Sequence, residues 1–314
     1  MRKSMLAAIL VALSLAGPAA ADTPPPSVLV SIKPLHGLVA AVMKGVAEPG
    51  LIVSGSASPH DYAMKPSDAR AVERAQLLVW VGSDFEGWLK KPAARVKQRL
   101  AMQDIPGMTR LATREGGAWD SHEDGHGHKD HGKGGHGKDD HDETDGHLWL
   151  DPDNAARLVE AVAGRLAGMD PTRADLYKAN AAETRKRLAE LDSALAAKLK
   201  PLAGKPYVVF HDAHQYFEAR YGLTPAGAVT IDPERPPGAR RMATLRDRLK
   251  ATKAACVFRE PRFAGPTVQA LAEAAGARIG QLDPEGALAE PGPDAYFTIM
   301  TAIADSLADC LSGR

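Results

Sequence analysis

The sequence predicts an α/β protein of two lobes, each built on a parallel sheet, joined by one long helix. Short apolar runs rich in β-branched residues alternate with helical patterns over 28–81 and again after residue 207. This alternation is typical of parallel sheets covered by helices. Between the two series, a helical pattern over 173–200 would extend about 42 Å. That length exceeds the needs of one small lobe and suits a rigid connection between two.

The chain begins with a segment that resembles a secretory signal peptide over residues 1–21. Two basic residues precede an apolar run over 5–17, which is too short to span a bilayer, and small residues follow. We expect cleavage after Ala21, and the alternative is an uncleaved anchor. Cleavage would leave a net charge of about −2, because acids and bases are equal in number in the whole chain. This charge does not favour a nucleic-acid partner, and we expect a soluble monomer.

The first lobe is predicted to occupy residues 22–168. Strands are expected at Val28–Ile32, Leu51–Val53 and Leu77–Val81, and helices at Leu35–Met43, Pro66–Arg74 and 154–167. Pro66 suits the first position of a helix. A backbone N–H there has no hydrogen-bond acceptor within the helix, so the N–H that proline lacks is not needed.

A histidine-rich segment over 118–145 interrupts the first lobe. It has almost no apolar residues, so it cannot offset the entropy of ordering, and we predict a disordered loop. Its histidines are His122, His126, His128, His131, His136 and His141. Tracts of this kind bind transition metals, so we expect several weak auxiliary metal sites. The alternative is a solvated spacer.

The connecting helix and the second lobe follow, with predicted bounds of 169–203 and 204–314. Four leucines spaced by three, four and four residues mark one face of the helix, and Pro201 with Gly204 end it. Strands are predicted at Tyr207–Phe210, Ala226–Val229, Cys256–Arg259 and Arg278–Leu282, and helices at Ala213–Tyr221, Ala239–Ala251, Pro266–Ala275 and Asp294–Leu311.

The chain has two cysteines, Cys256 and Cys310. In the oxidising compartment that a signal peptide indicates, such a pair forms one disulfide by default. The alternative is two unpaired buried thiols. Neither cysteine lies near Ala21, so an acylated N-terminus is not expected.

Three histidines outside the histidine-rich loop are candidate metal ligands. His211 directly follows a predicted strand, and His60 follows the loop Ser54–Pro59 after another. Ligands bind beyond the carboxyl ends of strands in open parallel sheets. His147 opens the ordered segment after the loop. Neutral imidazole is a common zinc ligand, although each histidine could instead be an ordinary polar loop residue. For His36 and His214, packing is the better interpretation.

Asp283 follows the last predicted strand and precedes a proline. This position suits either a carboxylate ligand or an ordinary turn. No nucleophile elbow, phosphate loop or H-E-x-x-H motif occurs in the sequence. The sequence pattern also does not identify a general base near the candidate ligands. We therefore expect metal binding without catalysis, with a zinc hydrolase as a remote alternative.

Four groups of residues together resemble the zinc-uptake solute-binding proteins of ABC importers. They are Ser58–Tyr62 with Lys65–Asp68, then Leu77–Gly82, then His147–Pro152, then Val209–Ala213. The acidic, histidine-rich loop before His147 and the C-terminal cysteine pair are also typical of that family. The resemblance covers essentially the whole chain after the signal peptide.

The resemblance implies zinc bound in the cleft between the lobes by His60, His147 and His211, and a disulfide between Cys256 and Cys310. Some members carry glutamate before the first histidine, where this chain has Pro59. Related manganese binders use an aspartate that falls at Asp283, so the fourth position would be Asp283 or water.

The function implied is capture of zinc in the periplasm of a Gram-negative bacterium and delivery to the membrane permease of an ABC importer. Three imidazoles favour zinc, whereas manganese favours more carboxylate oxygen. The alternatives are a manganese or broad divalent-metal binding subunit, and a periplasmic zinc buffer or chaperone.

Overall fold

Two parallel sheets organise the chain. The computed structural model describes residues 23–55, 57–114, 119, 144–235, 237–263 and 265–313, and in them it forms two four-stranded parallel sheets. The predicted signal peptide and the six histidines of the histidine-rich segment lie outside these residues.

The first lobe is built on the sheet order β2-β1-β3-β4. Its elements are β1 (Val28–Val30), α1 (Lys33–Val42), β2 (Gly50–Leu51), α2 (Pro66–Arg74), β3 (Leu77–Trp80), α3 (Lys90–Ala93), β4 (Gln98–Ala101) and α4 (Pro152–Met169). The sequence did not predict α3 and β4. Strand β4 is an edge strand with only its last residue buried, so it lacks the continuous apolar run that marks a central parallel strand.

A single long helix, α5 (Ala174–Leu199), connects the two sheets, as predicted. Its 26 residues span about 39 Å, and short 3₁₀ turns extend it at both ends. The buried side chains Leu188, Leu195 and Leu199 lie on the face that the leucine spacing indicated.

The second lobe has the sheet order β6-β5-β7-β8. Its elements are β5 (Tyr207–His211), α6 (Gln215–Tyr221), β6 (Pro225–Thr230), α7 (Ala239–Thr252), β7 (Cys256–Arg259), α8 (Gly265–Ala275), β8 (Arg278–Gln281) and α9 (Ala295–Ser312). Helix α6 begins two residues later than predicted, because a tight turn from His211 to Ala213 follows β5.

A disulfide joins the start of β7 to the end of α9, which confirms the predicted bridge between Cys256 and Cys310. Both residues are buried, and their Cα atoms are 6.2 Å apart. Among the described residues, we find no helix with the length and apolarity that crossing a membrane requires.

The two lobes share a hydrophobic core, which runs from the first sheet through α5 to one face of the second sheet. Helix α1 packs on α9 closely enough that a Cβ added at Gly37 would lie 2.8 Å from the backbone nitrogen of Tyr296. Tyr296 also donates a hydrogen bond from its hydroxyl to the carbonyl of Trp149. Because close packing in such an interior leaves few voids, these contacts hold the two lobes in a defined relation across the cleft.

Candidate metal centre

The three candidate ligands predicted from the sequence meet in the cleft. His60 lies in the loop after β2, His147 directly precedes a 3₁₀ turn at Leu148–Leu150, and His211 is the last residue of β5. One nitrogen from each imidazole lies within 4.8 Å of the other two. His147 and His211 are buried, and the side chain of His60 retains 20% of its exposure.

The strand geometry explains why His211 points into the cleft. Side chains alternate between the two faces of a strand, and in β5 the side chains of Val208 and Phe210 belong to the core on the outer face of the sheet. Tyr207 and Val209 pack in the core shared with the first lobe. His211, two residues beyond Val209, therefore faces the first lobe.

The imidazoles form a nearly equilateral triangle. Ring centroids are 5.4 Å apart for His60 and His147, and 5.3 Å apart for each of the other two pairs. The Nε2 atoms of His147 and His211 are 3.3 Å apart. This spacing brings donor atoms of the two lobes close enough to share one ion.

Carboxylates behind two of the rings set which nitrogen faces the cleft. Asp145 Oδ1 lies 2.7 Å from His147 Nδ1 and also accepts the backbone N–H of His147 at 3.0 Å. Glu260 Oε1 lies 2.5 Å from His211 Nδ1. Each carboxylate assigns the ring proton to Nδ1 and leaves the lone pair on Nε2, as at zinc sites with a carboxylate behind the histidine.

The cleft keeps two of its imidazoles neutral. Burial lowers the pKa of His147, outweighing the opposite effect of Asp145. Burial, reinforced by the nearby His60, lowers the pKa of His211 to about 3. For His60, burial also acts to lower the pKa, but contact with Glu285 and the charges of neighbouring acids outweigh it and raise the pKa. Neutral imidazoles are the form that binds metal.

Glu285 borders the histidine group, whereas Asp283 does not join it. Oε1 of Glu285 lies 3.4 Å from His60 Nε2, and its other oxygen pairs with Arg262. Both oxygens of Asp283 accept backbone amides, from Ala287 and Leu288, at 2.9 Å. The assignment of Asp283 as fourth ligand therefore stays a prediction.

An apolar wall backs the site. The ring of Phe85 lies 4.7 Å from that of His60, 5.2 Å from that of His147 and 5.0 Å from that of Trp149, between centroids. A Cβ added at Gly146 would lie 2.6 Å from Cβ of Phe85, so glycine permits this packing. The wall shields one side of the imidazole rings from solvent.

A cavity of about 760 Å³ opens in front of the histidines and is lined by both lobes. Its lining includes His60 and His147 together with the basic side chains Lys90, Arg110 and Arg114. Arg114 is held by Glu218 and Asp212 and stacks on Trp119. The cavity is a route from solvent to the site.

The other two histidines among the described residues lie outside the group, consistent with packing roles. Both His36 and His214 are buried. Nε2 of His36 lies 3.0 Å from the carbonyl of Pro49 in the first lobe. Burial lowers the pKa of His214 well below its usual value.

Three acidic residues of the site were not found from the sequence: Asp145, Glu260 and Glu285. Asp145 stands two residues before His147, and Glu260 directly follows strand β7, at the edge where parallel strands place ligand-binding residues. Either position could have identified its residue as part of the site from the sequence. Glu285 carried no signal beyond its place two residues after Asp283.

The fold and this site define a two-lobed α/β protein with a candidate metal centre between the lobes. The family model for ZnuA, the periplasmic component A of zinc-uptake complexes, matches residues 28–310. The chain therefore belongs to this family of solute-binding transport proteins.

Named relatives agree with this assignment. The high-affinity zinc uptake system protein ZnuA of Brucella suis is 43% identical over 305 residues, with 91% of each chain covered. The protein of the same name from Yersinia pestis is 36% identical, again with 91% of each chain covered. The periplasmic zinc-binding protein TroA of Treponema pallidum shares the fold, with a TM-score of 0.76 at 20% identity over 91% of this chain and 99% of that one.

Proposed function

We propose that this protein captures a zinc ion in the periplasm with His60, His147 and His211 and delivers it to the membrane permease of an ABC importer. The ion is cargo. The names of the relatives, which are zinc uptake proteins, support the choice of metal and process.

The observation that carries the proposal is the convergence of one nitrogen from each of three imidazoles in the cleft, all within 4.8 Å of one another. Two unprotonated nitrogens of His147 and His211 face each other at 3.3 Å, and their ring protons are committed to Asp145 and Glu260 on the far side. Two acceptors at this distance cannot bond to each other, but one cation between them satisfies both. Four-coordinate zinc accepts such nitrogen ligands.

The set of donor atoms also favours zinc over manganese. Asp145 and Glu260 are engaged with ring N–H groups, so they support the histidines and do not face the ion. The oxygen-rich environment that manganese favours is therefore lacking in the histidine group among the described residues. A manganese subunit is the weaker candidate.

A competition titration on the chain without its signal peptide tests the proposal. We expect one tight zinc ion in addition to weaker sites. Alanine at His60, His147 or His211 should each weaken that tight site by orders of magnitude, because each removes one of three ligands. Alanine at the matched buried histidines His36 and His214 should leave it unchanged.

Two results would contradict the proposal. If the His211→Ala variant binds zinc as tightly as the wild-type protein, the site is wrong. If manganese displaces zinc at equal concentration, the metal is wrong. Delivery is tested by growth of a deletion strain under zinc chelation, where the wild-type gene should restore growth and the His147→Ala gene should not.

A further inference from the structure

We propose that Tyr216 is a positioning residue for metal binding. Its hydroxyl, which belongs to the second lobe, fixes Asp145 of the first lobe and, through Asp145, the imidazole of His147. The inference rests on the proposed function, since it concerns the same ion. Tyr216 sets the zinc affinity by holding a ligand of one lobe in place from the other lobe.

The Tyr216 hydroxyl makes two hydrogen bonds, and both reach the backbone of the first lobe. It accepts the N–H of Leu111 at 3.0 Å and donates to the carbonyl of Asp145 at 2.8 Å. A hydroxyl has one hydrogen to donate and lone pairs to accept, so these two partners fix the direction of both bonds. The residue is only 2% exposed, and water is therefore poorly placed to replace the hydroxyl.

The two partners of the hydroxyl belong to a short antiparallel ladder. The N–H of Asp145 donates to the carbonyl of Leu111 at 2.9 Å, and Ala112 pairs with Thr144 in an antiparallel bridge. Two strands alone are marginally stable in water, so a ladder this short depends on what it packs against. Tyr216 bonds to both of its strands at once, and helix α6 thereby holds the ladder in a fixed position.

Asp145 carries this position to the metal ligand. Its Oδ1 lies 2.7 Å from Nδ1 of His147 and also accepts the backbone N–H of that residue at 3.0 Å. The backbone of Asp145 is thus held by Tyr216, while its carboxylate holds the ring. A shift of that backbone would move the carboxylate and rotate the imidazole. Ligands must be held to within about 0.5 Å and about 10–20° of the binding geometry, so such a shift would weaken the bond to the ion.

The connection also links ligands of different lobes. His211 ends β5, and Tyr216 lies in α6, the helix that follows it. The Nε2 atoms of His147 and His211 are 3.3 Å apart, and two nitrogen ligands of a tetrahedral zinc ion lie about 3.3–3.4 Å apart. The hydroxyl therefore preserves across the cleft a spacing that the ion would otherwise have to impose. Ordering the ligands in advance raises affinity, because binding no longer has to supply that ordering.

Tyr221 provides a matched control on the same helix. It is also buried, and its hydroxyl donates to Asp192 of the connecting helix at 3.0 Å. Phenylalanine at Tyr216 or Tyr221 removes one buried hydroxyl and keeps the packing of the ring. Only the hydroxyl of Tyr216 is bonded to the backbone of Asp145, so only its loss should reach the metal ligand.

Zinc titrations against a competing chelator test the inference on the full chain without its signal peptide. We expect Tyr216→Phe to weaken zinc binding about tenfold, the lower end of the effect of residues behind metal ligands. Tyr221→Phe should bind zinc like the wild-type protein. Both substitutions should lower the melting temperature of the metal-free protein, because each leaves a buried partner without its hydrogen bond. The inference is wrong if Tyr216→Phe binds zinc as tightly as wild type, or if Tyr221→Phe loses as much affinity.

A double-mutant cycle separates positioning from a general structural role. If the hydroxyl acts through Asp145, Tyr216→Phe should have little effect once the carboxylate is gone. The double variant should then bind zinc within about twofold of Asp145→Ala alone. Losses that simply add would show that Tyr216 acts by another route, and the inference would fail.

Proton NMR of the zinc-bound protein gives a local readout. The Nδ1 proton of His147 is held by Asp145, and that of His211 is held by Glu260. In Tyr216→Phe, the His147 proton should exchange faster with water, whereas the His211 proton should exchange as in wild type. Equal exchange of the His147 proton in wild type and variant would overturn the inference.

Failure of the proposed function would look different. In that case His147→Ala would bind zinc as tightly as the wild-type protein. If His147→Ala abolishes tight binding while Tyr216→Phe behaves like wild type, only the positioning inference fails.

Discussion

Glu260→Gln should weaken zinc binding although Glu260 does not face the ion. The carboxylate lies 2.5 Å from Nδ1 of His211, and both residues are buried, so water is poorly placed to replace it. Glutamine keeps an oxygen for the ring N–H but cannot carry the negative charge that a carboxylate places behind a metal-bound imidazole, which strengthens Nε2 as a ligand. Changes of this kind cost 10- to 100-fold in metal affinity, or about 1.4–2.7 kcal/mol.

The same substitution should not destabilise the metal-free protein. Burial, together with the negative charge of Glu285, raises the pKa of Glu260 well above its ordinary value. A raised carboxyl pKa means that ionisation opposes folding above the unfolded-state pKa, and glutamine removes that cost. The melting temperature without metal should therefore stay or rise, while the increase caused by zinc becomes smaller.

A competition titration against a chromophoric chelator at neutral pH measures the affinity, and thermal melts with and without zinc measure the stability. Glu86→Gln is the matched control, because Glu86 is also buried but accepts the backbone N–H of Val81 at 2.7 Å. The reasoning is refuted if Glu260→Gln binds zinc like wild type, or if Glu86→Gln loses as much affinity.

Three further predictions concern protons, the disulfide and the histidine-rich segment. Zinc affinity should fall about tenfold per pH unit below the raised pKa of His60, since one proton must leave that ring; a steeper slope in titrations at several pH values would show that more rings are protonated. Reducing Cys256–Cys310, which are 54 residues apart, should lower the unfolding free energy by at most about 4 kcal/mol in denaturant melts; zinc affinity should not change. Deleting 120–143 should keep one tight zinc ion and remove weaker ones in calorimetric titrations; loss of the tight site would make the segment part of it.

The sequence was sufficient wherever local pattern carries the information. Helix α2 and strand β7 match their predicted bounds. Proline at the first helical position and a short run of buried apolar residues are signals that act within a few residues. Strand β4 was not predicted, because its own composition does not indicate a strand. It forms one through its place at the edge of the sheet. His147 and His211 could be predicted because one stands where an ordered segment begins and the other where a strand ends, and His60 because it lies in the loop that follows a strand.

Only the tertiary structure shows which carboxylates contact the rings of those histidines. Glu260 is 49 residues from His211, and they meet because β7 pairs directly with β5 in the parallel sheet.

Glu285 is farther still from His60 along the chain, and it approaches only because the turn at 283–288 docks on the first lobe through Lys33 and Trp149. Sequence periodicity reports which face of an element is buried and where that element ends. It carries no information on which loops of two lobes pack together. The sequence by itself therefore determined the fold class and the bridge, and it predicted the three histidines as candidate ligands. The carboxylates that contact these histidines are brought to them by packing within the second sheet and across the cleft.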